Sequence, residues 1–216
     1  EIIKGTARDI GAPGWDEQTG WGLADLPAAL AEIVGSPAPQ LPFDDVEPGA
    51  YYLEAVQWAL RRGITGGTSE NTFSPDLFCT RAQTVTFLWR AAGCPEPGIK
   101  AQPFEDVREG DYFYKAVLWA VEKGVTTGTS ATTFSPHDTC TEAQIITLIW
   151  RAKGRPAPPA RSELLARLGE AYYAHAAAWA DALGLFTAAQ TQFDADAPAP
   201  RAHIVTYLFA SAESGR

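Results

Sequence analysis

Apolar residues recur along this chain with a helical period, interrupted at regular places by glycine, proline and hydroxyl side chains. Tyr52, Ala55, Val56, Ala59 and Leu60 stand at i, i+3, i+4, i+7 and i+8, an amphipathic stripe that predicts a helix. Gly63 is placed to close it as the residue after the C-cap. A second helix is predicted to open at Thr80, whose hydroxyl can cap it while Gln83 reaches back as the third residue of a capping box, and Thr141 with Gln144 repeats the device. Between the two stripes lies a polar loop, Gly66-Gly67-Thr68-Ser69 or Gly128-Thr129-Ser130, that ends at a Ser-Pro turn. The unit reads as helix, loop, helix. The longest apolar runs, Val85 to Trp89 and Ile145 to Trp150, fall well short of the roughly 18 residues a membrane helix needs, so no membrane span is predicted.

The unit is repeated. Phe43-Asp44-Asp45-Val46, Trp58-Ala59, Thr72-Phe73-Ser74-Pro75 and Phe87-Leu88-Trp89-Arg90 recur as Phe104-Glu105-Asp106-Val107, Trp119-Ala120, Thr133-Phe134-Ser135-Pro136 and Leu148-Ile149-Trp150-Arg151, always 61 residues on. A worn third copy follows at offset 60 (Tyr172-Tyr173, Trp179-Ala180) and then 59 (Phe193, Ala202, Thr206). Pro-rich breaks around 36–42, 94–98 and 155–159 separate the copies as semi-rigid joints. The predicted organisation is therefore a segment at 1–35, a Pro-rich linker at 36–42, and repeats at 43–98, 99–158 and 159–216, the last degenerate. One helical pair buries little alone. The three copies are expected to share a core and make a mainly α fold, with the second helices longest and Trp58, Trp89, Trp119, Trp150 and Trp179 filling the core or lining grooves between copies.

Composition narrows the function classes. At 46% hydrophobic and 11% aromatic the chain of 216 residues is too apolar to be disordered, and Lys+Arg 17 against Asp+Glu 26 gives a net charge of -9. That field does not suit a nucleic-acid partner. Three cysteines without CxxC or zinc spacing suggest neither a disulfide scaffold nor a metal site, and Cys79 and Cys140, at equivalent positions before the second helices, read as small buried hydrophobes. No cofactor is implied. No basic and apolar leader opens the sequence, and Met is absent from it, which suggests that it begins inside a longer protein.

The pattern Phe-x-Asp-Val, Tyr-Tyr-x-x-Ala-Val-x-Trp-Ala, Gly-Ile-Thr-x-Gly-Thr, Thr-Phe-Ser-Pro, Cys-Thr-Arg-Ala-Gln, Phe-Leu-Trp-Arg-Ala-Ala-Gly resembles the S-layer homology repeat, over residues 43 to about 212. The resemblance implies a pseudo-threefold helical module at the bacterial cell surface, outside the cell, that binds a secondary cell-wall polysaccharide, often carrying anionic pyruvyl ketals. Arg81 and Arg201 occupy the arginine place of the family's Thr-Arg-Ala-Glu signature. A cation at the first helical position opposes the helix dipole, so stability does not account for these arginines, whereas a guanidinium fork suits a carboxylate. Arg81 is thus the leading glycan-binding candidate and Arg201 a secondary one, with Gly66, Gly67, Gln83, Trp58, Trp119, Asp45 and Asp106 beside them. Glu142 stands at the same place in the second copy and would repel a pyruvyl carboxylate, which puts the second copy's pocket in doubt, and Glu142→Arg is expected to strengthen binding if that pocket is otherwise intact. The third copy lacks Phe-x-Asp-Val, has Leu185-Phe186-Thr187-Ala188-Ala189 for the glycine loop and Pro200 for the capping threonine, so its site is expected to be weak or lost. Asp44, Asp45 and Asp106 fit calcium or sugar hydroxyls, and equally a helix-entry cap.

Residues 1–35 are a different object. Gly5-Thr6-Ala7-Arg8-Asp9-Ile10-Gly11, then Gly14-Trp15-Asp16 and Thr19-Gly20-Trp21-Gly22-Leu23-Ala24-Asp25, with an alanine-rich stretch from Pro27 to Ile33, resemble the closing segment of a subtilisin-like serine protease domain. The resemblance implies a parent protease whose triad lies upstream of Glu1, with this chain a non-catalytic tail. Gly128-Thr129-Ser130-Ala131 looks like a nucleophile motif but is the repeat loop, as Gly67-Thr68-Ser69-Glu70 shows. His137, His175 and His203 each occur in one copy only and make no metal spacing. Two readings follow: a wall anchor for a secreted protease, or a scaffold that braces the protease domain without binding glycan. An anchor needs Arg81 open beside the glycine loop, and a scaffold would bury it in an ion pair.

Overall fold

The computed structural model of the protein describes residues 41–213, of which all but the first lie in one compact unit beginning at Pro42. The segment resembling a protease end, and most of the first linker, fall outside the described residues. The described residues hold eight helices and no strand: α1 (Leu53–Arg61), α2 (Arg81–Ala91), α3 (Tyr114–Glu122), α4 (Glu142–Ala152), α5 (Glu163–Leu168), α6 (Ala174–Ala182), α7 (Leu185–Ala188) and α8 (Arg201–Glu213).

Local signals act as expected. Ala55, Val56, Trp58 and Ala59 are the buried face of α1, and Gly63 takes φ +65 just past its C-cap while its N–H reaches Leu60 O at 3.0 Å. Thr80 and Gln83 close a capping box on α2, and Thr141 and Gln144 do so on α4. The second helices are the longest, with 11, 11 and 13 residues against 9 for α1, α3 and α6.

The three second helices, α2, α4 and α8, pack on one another at the centre. Just before them three chain segments meet in a closed ring of backbone hydrogen bonds: Cys79 N–H to Ala199 O, Ala199 N–H to Cys140 O, and Cys140 N–H to Cys79 O, at 3.4, 3.3 and 3.0 Å. These residues are equivalent (offsets 61 and 59), so the pseudo-threefold axis runs through them. Only a small side chain fits there three times over, which accounts for Cys, Cys and Ala. Both cysteines are fully buried and unpaired, and burial pushes the Cys79 thiol up to about 12, far from reactive.

The outer helices follow a rule that the repeat pattern alone did not reveal. Each first helix packs against the second helix of the preceding copy: α3 on α2, α6 on α4, and α1 on α8. The last pairing joins the end of the unit to its beginning and closes the ring. Copies are thereby interlocked rather than stacked as three separate hairpins.

Candidate functional site

The polar loop in each of the first two copies is held by its own carboxylate. Asp45 accepts hydrogen bonds from the N–H groups of Phe73 and Ser74, both at 2.7 Å, and Asp106 does the same for Phe134 (2.8 Å) and Ser135 (2.7 Å). Gly67 (φ +88) and Gly128 (φ +82) are required where the loop doubles back. A Cβ on Gly128 would lie 2.5 Å from Phe104 Cε1 and from Thr133 O, and one on Gly67 would meet Phe43 Cε1 at 2.6 Å and the Thr72 carbonyl. Gly66 has open space around it.

Arginines reach these loops from the neighbouring copy. Arg81 starts α2 in the first copy, yet its Nε donates to Phe134 O of the second at 2.8 Å and its guanidinium lies 5.0 Å from the Phe134 ring centroid. Arg201 starts α8 in the third copy and does the same to the first: Nε to Phe73 O at 2.8 Å, Nη2 to Thr65 Oγ1 at 3.3 Å, and the guanidinium over Phe73 and Phe87. A second arginine from the loop's own copy joins each. Arg151 Nη1 bonds Val125 O at 3.3 Å, and Arg90 Nη1 bonds Ile64 O at 3.2 Å.

At the second loop the result is a cavity of about 420 Å³ lined by Arg81, Arg151, Thr126, Gly128, Gln144 and Tyr172, among others. The first loop is built alike, with Arg201, Arg90, Thr65 and Tyr112 in the equivalent places, and the Tyr112 phenol feels the charges of Arg90 and Arg201 as Tyr172 feels those of Arg151 and Arg81. No carboxylate among the described residues forms an ion pair with any of the four arginines. Burial lowers the pKa of Arg201, with the nearby Asp45 charge working the other way, and burial together with the Arg155 charge lowers that of Arg151.

The third junction is different in kind. Here Glu142 opens α4 and points at the third copy's loop, where its Oε2 accepts from Asp194 N–H at 2.8 Å and its Oε1 from the Tyr207 hydroxyl. Asp194 is equivalent to Ser135, whose N–H in the second copy is held by Asp106. The third copy has lost Phe-x-Asp-Val, and Glu142 supplies the missing acceptor from next door. With Ala188 in place of Gly128 the loop forms the short helix α7 instead, and Phe186 and Tyr207, in edge contact at 6.0 Å, occupy the places of Thr126 and Leu148. The second arginine is Ala210. Glu142 is buried and its pKa is raised, chiefly by desolvation. A cavity of about 650 Å³ borders it, lined also by Arg167, Asp194 and His203, without the double-arginine arrangement.

Residues 42–85 and 103–146 match the S-layer homology domain. Two S-layer homology repeats thus lie within the chain. An endoglucanase of Bacillus sp. (strain KSM-635) is 32% identical over 127 residues, 59% of this chain and 13% of that protein. A cell surface protein of Thermoanaerobacter kivui is 30% identical over 117 residues (52% and 15%), and a surface-layer 125 kDa protein of Lysinibacillus sphaericus 30% over 121 (56% and 10%). The matched part is thus a small fraction of each relative's own length.

Around these two repeats the candidate residues divide. Arg201, Gly66 and Gly67 come together at the first loop, whereas Arg81 belongs with Gly128 at the second. Gln83 makes the α2 capping box, and its equivalent Gln144 lines the second cavity. Asp45 and Asp106 spend their carboxylates on loop N–H groups. Trp58 and Trp119 are buried core residues, 8% and 5% exposed, which leaves no face for a sugar to stack on. Sequence reasoning missed Arg90, Arg151, Tyr112 and Tyr172. The signal was present: Arg90 and Arg151 recur at offset 61 and are replaced at Ala210, in the same junction that has Glu142.

Proposed function

We propose that this module holds its parent protein to the bacterial cell wall by binding an anionic, pyruvylated secondary cell-wall polysaccharide at two sites, the Arg81–Arg151 and Arg201–Arg90 pairs, and that the third junction is structural. The protein acts at the cell surface, and this chain is a non-catalytic part of it. The observation that carries the reading is the convergence of two guanidiniums without a carboxylate partner beside a rigid glycine loop, twice, at equivalent junctions. A ketal carboxylate supplies the missing counter-charge, and each guanidinium, held at one nitrogen by a backbone carbonyl, presents its remaining donors as a fixed fork. The scaffold alternative expects Arg81 buried in an ion pair and the anchor expects it open; Arg81 is buried, 5% exposed, yet bonded to a carbonyl rather than a carboxylate and on the wall of a cavity, so its lack of an ion pair supports the anchor and its burial does not. Retention on purified sacculi before and after chemical removal of pyruvate tests this: loss of retention with pyruvate supports it, and retention that ignores both pyruvate and the arginines leaves the scaffold.

The parent protein is, in this proposal, a secreted subtilisin-like serine protease whose domain ends within residues 1–35, with the linker at 36–42 and repeats at 43–98, 99–158 and 159–216. The resemblance of residues 5–33 to a protease end supports it, and that an endoglucanase carries a related segment is in keeping with an enzyme bearing such a tail. The reading frame upstream of Glu1 tests it directly.

A further inference from the structure

We propose that the first site extends into a second, neighbouring subsite that takes an uncharged sugar residue of the same polysaccharide, so that the Arg201–Arg90 site reads a longer stretch of glycan than the Arg81–Arg151 site; this rests on the glycan-binding reading above. The subsite is a cavity of about 430 Å³ between the joint that follows α2 and the start of α3, and Tyr112 is a wall of it. Tyr112, 64% exposed, is the equivalent at offset 60 of Tyr172, which lines the Arg81–Arg151 cavity, so the same ring position serves the arginine site on one side and this cavity on the other.

Its walls are fixed in advance. Trp89 Nε1 donates to Pro95 O at 2.9 Å, Gly98 N–H to Glu122 Oε2 at 2.6 Å, Lys115 pairs with Glu96 at 2.9 Å, and the Tyr114 hydroxyl reaches Lys100 O at 3.4 Å. A joint pinned at four points loses little freedom when a ligand enters. The lining is aromatic (Trp89, Tyr112, Tyr114) with Glu96, Glu109 and Asp111 against Lys100 and Lys115. Three carboxylates and two ammoniums leave the wall slightly negative, which rejects a second anion and offers acceptors to hydroxyl or amide protons. Flat rings beside such acceptors suit an uncharged pyranose.

The second junction keeps the equivalent pin, Trp150 Nε1 to Pro156 O at 2.8 Å, but not the lining. At offset 60, Glu109, Asp111, Tyr114 and Leu118 become Gly169, Ala171, Ala174 and Ala178, and Glu122 becomes Ala182. The two arginine sites are therefore alike in their anion pocket and unlike beyond it.

Two probes separate the claims: a methyl hexopyranoside bearing a pyruvyl ketal, and the disaccharide in which it is linked to one neutral hexose. Calorimetric titration of the full chain is expected to show the disaccharide tighter than the monosaccharide at one site only, by about three- to tenfold. The Trp89 indole N–H resonance is expected to move with the disaccharide and stay still with the monosaccharide. Tyr114→Ala and, on the exposed rim, Glu109→Gln are expected to reduce that gain without touching monosaccharide affinity. Equal gain at both sites, no gain at either, or a gain that survives both variants overturns the subsite. If the monosaccharide itself binds neither arginine pair, the functional reading falls and the subsite with it; if it binds and no gain follows, only the subsite falls.

Discussion

Replacing Glu142 is expected to cost stability and to create no binding site, whatever is put in its place. Its carboxylate is the acceptor for two donors at once, the Asp194 N–H and the buried Tyr207 hydroxyl. In Glu142→Ala both lose it. A buried donor left unsatisfied costs about 1–3 kcal/mol. Tyr207 is fully buried and sits at the upper end, while Asp194 is exposed enough for water to replace part of its bond, so about 3–4 kcal/mol is expected in all. For a domain of this size that is a fall in Tm of about 6–16 °C, read by calorimetry or circular dichroism. Glu142→Gln keeps an acceptor for Asp194 and can donate to the Tyr207 oxygen, so a loss within about 1 kcal/mol is expected. Glu142→Arg, the change that the repeat signature suggests as a gain of binding, instead turns a charge and more donors towards two donors, in a space already filled by Phe186 and Tyr207. It should melt at least as early as Glu142→Ala. A Glu142→Ala variant as stable as Glu142→Gln would refute the bridging role, and a Glu142→Arg variant with an added binding site would refute the sealed junction.

The same carboxyl gives a pH test. Its folded pKa is raised, so the stability it contributes is full below the unfolded carboxylate range and is lost as pH rises through the folded value. His203, on the same cavity and lowered by burial, works against stability as pH falls through its own range, so the informative quantity is the difference between the native chain and Glu142→Gln, which should narrow in the native chain's disfavour as pH rises. Arg151→Ala or Arg90→Ala should each weaken binding of a pyruvylated saccharide about tenfold to a hundredfold at one site and leave the other unchanged, as titration calorimetry can resolve. Binding at both sites should weaken with added salt, since the half-exposed Arg90 and Arg151 open each site to ions that screen charge over about 8 Å at physiological ionic strength, and a salt-independent affinity would argue against the carboxylate contact. Gly128→Ala should cost upwards of about 1–3 kcal/mol by chemical denaturation, from a left-handed backbone and from contacts of 2.5 Å with Phe104 and Thr133, and should remove the second site with it. The chain alone should cleave no peptide substrate, and activity abolished by Ser130→Ala would undo the non-catalytic reading.

The helices, their caps and their threefold repetition were legible because each is written locally: a 3.6-residue stripe, a Thr-x-x-Gln box, a constant offset of 61. What the offset cannot convey is which copy a side chain faces. Arg81 was placed with Gly66 and Gly67 because they share a repeat, but the chain turn before α2 carries the start of that helix across to the next copy, where Arg81 N–H bonds Asp138 O and its guanidinium meets Phe134. This shift by one copy regroups the losses. Glu142 and the worn third loop, taken from the sequence as two impaired sites, meet in one junction, and the remaining two are whole. The tryptophans were ambiguous for another reason, since a large amphipathic ring serves a core and a sugar platform alike, and only burial separates Trp58 and Trp119 from the half-exposed Trp89.

Stoichiometry is the most direct measurement of the central claim. Titrating the chain with a monosaccharide bearing a pyruvyl ketal should give two sites, one of them weakened about tenfold or more in Arg90→Ala or Arg151→Ala and both in the double variant, with melting curves showing each variant folded. Three sites, or undiminished affinity in the folded double variant, would contradict it.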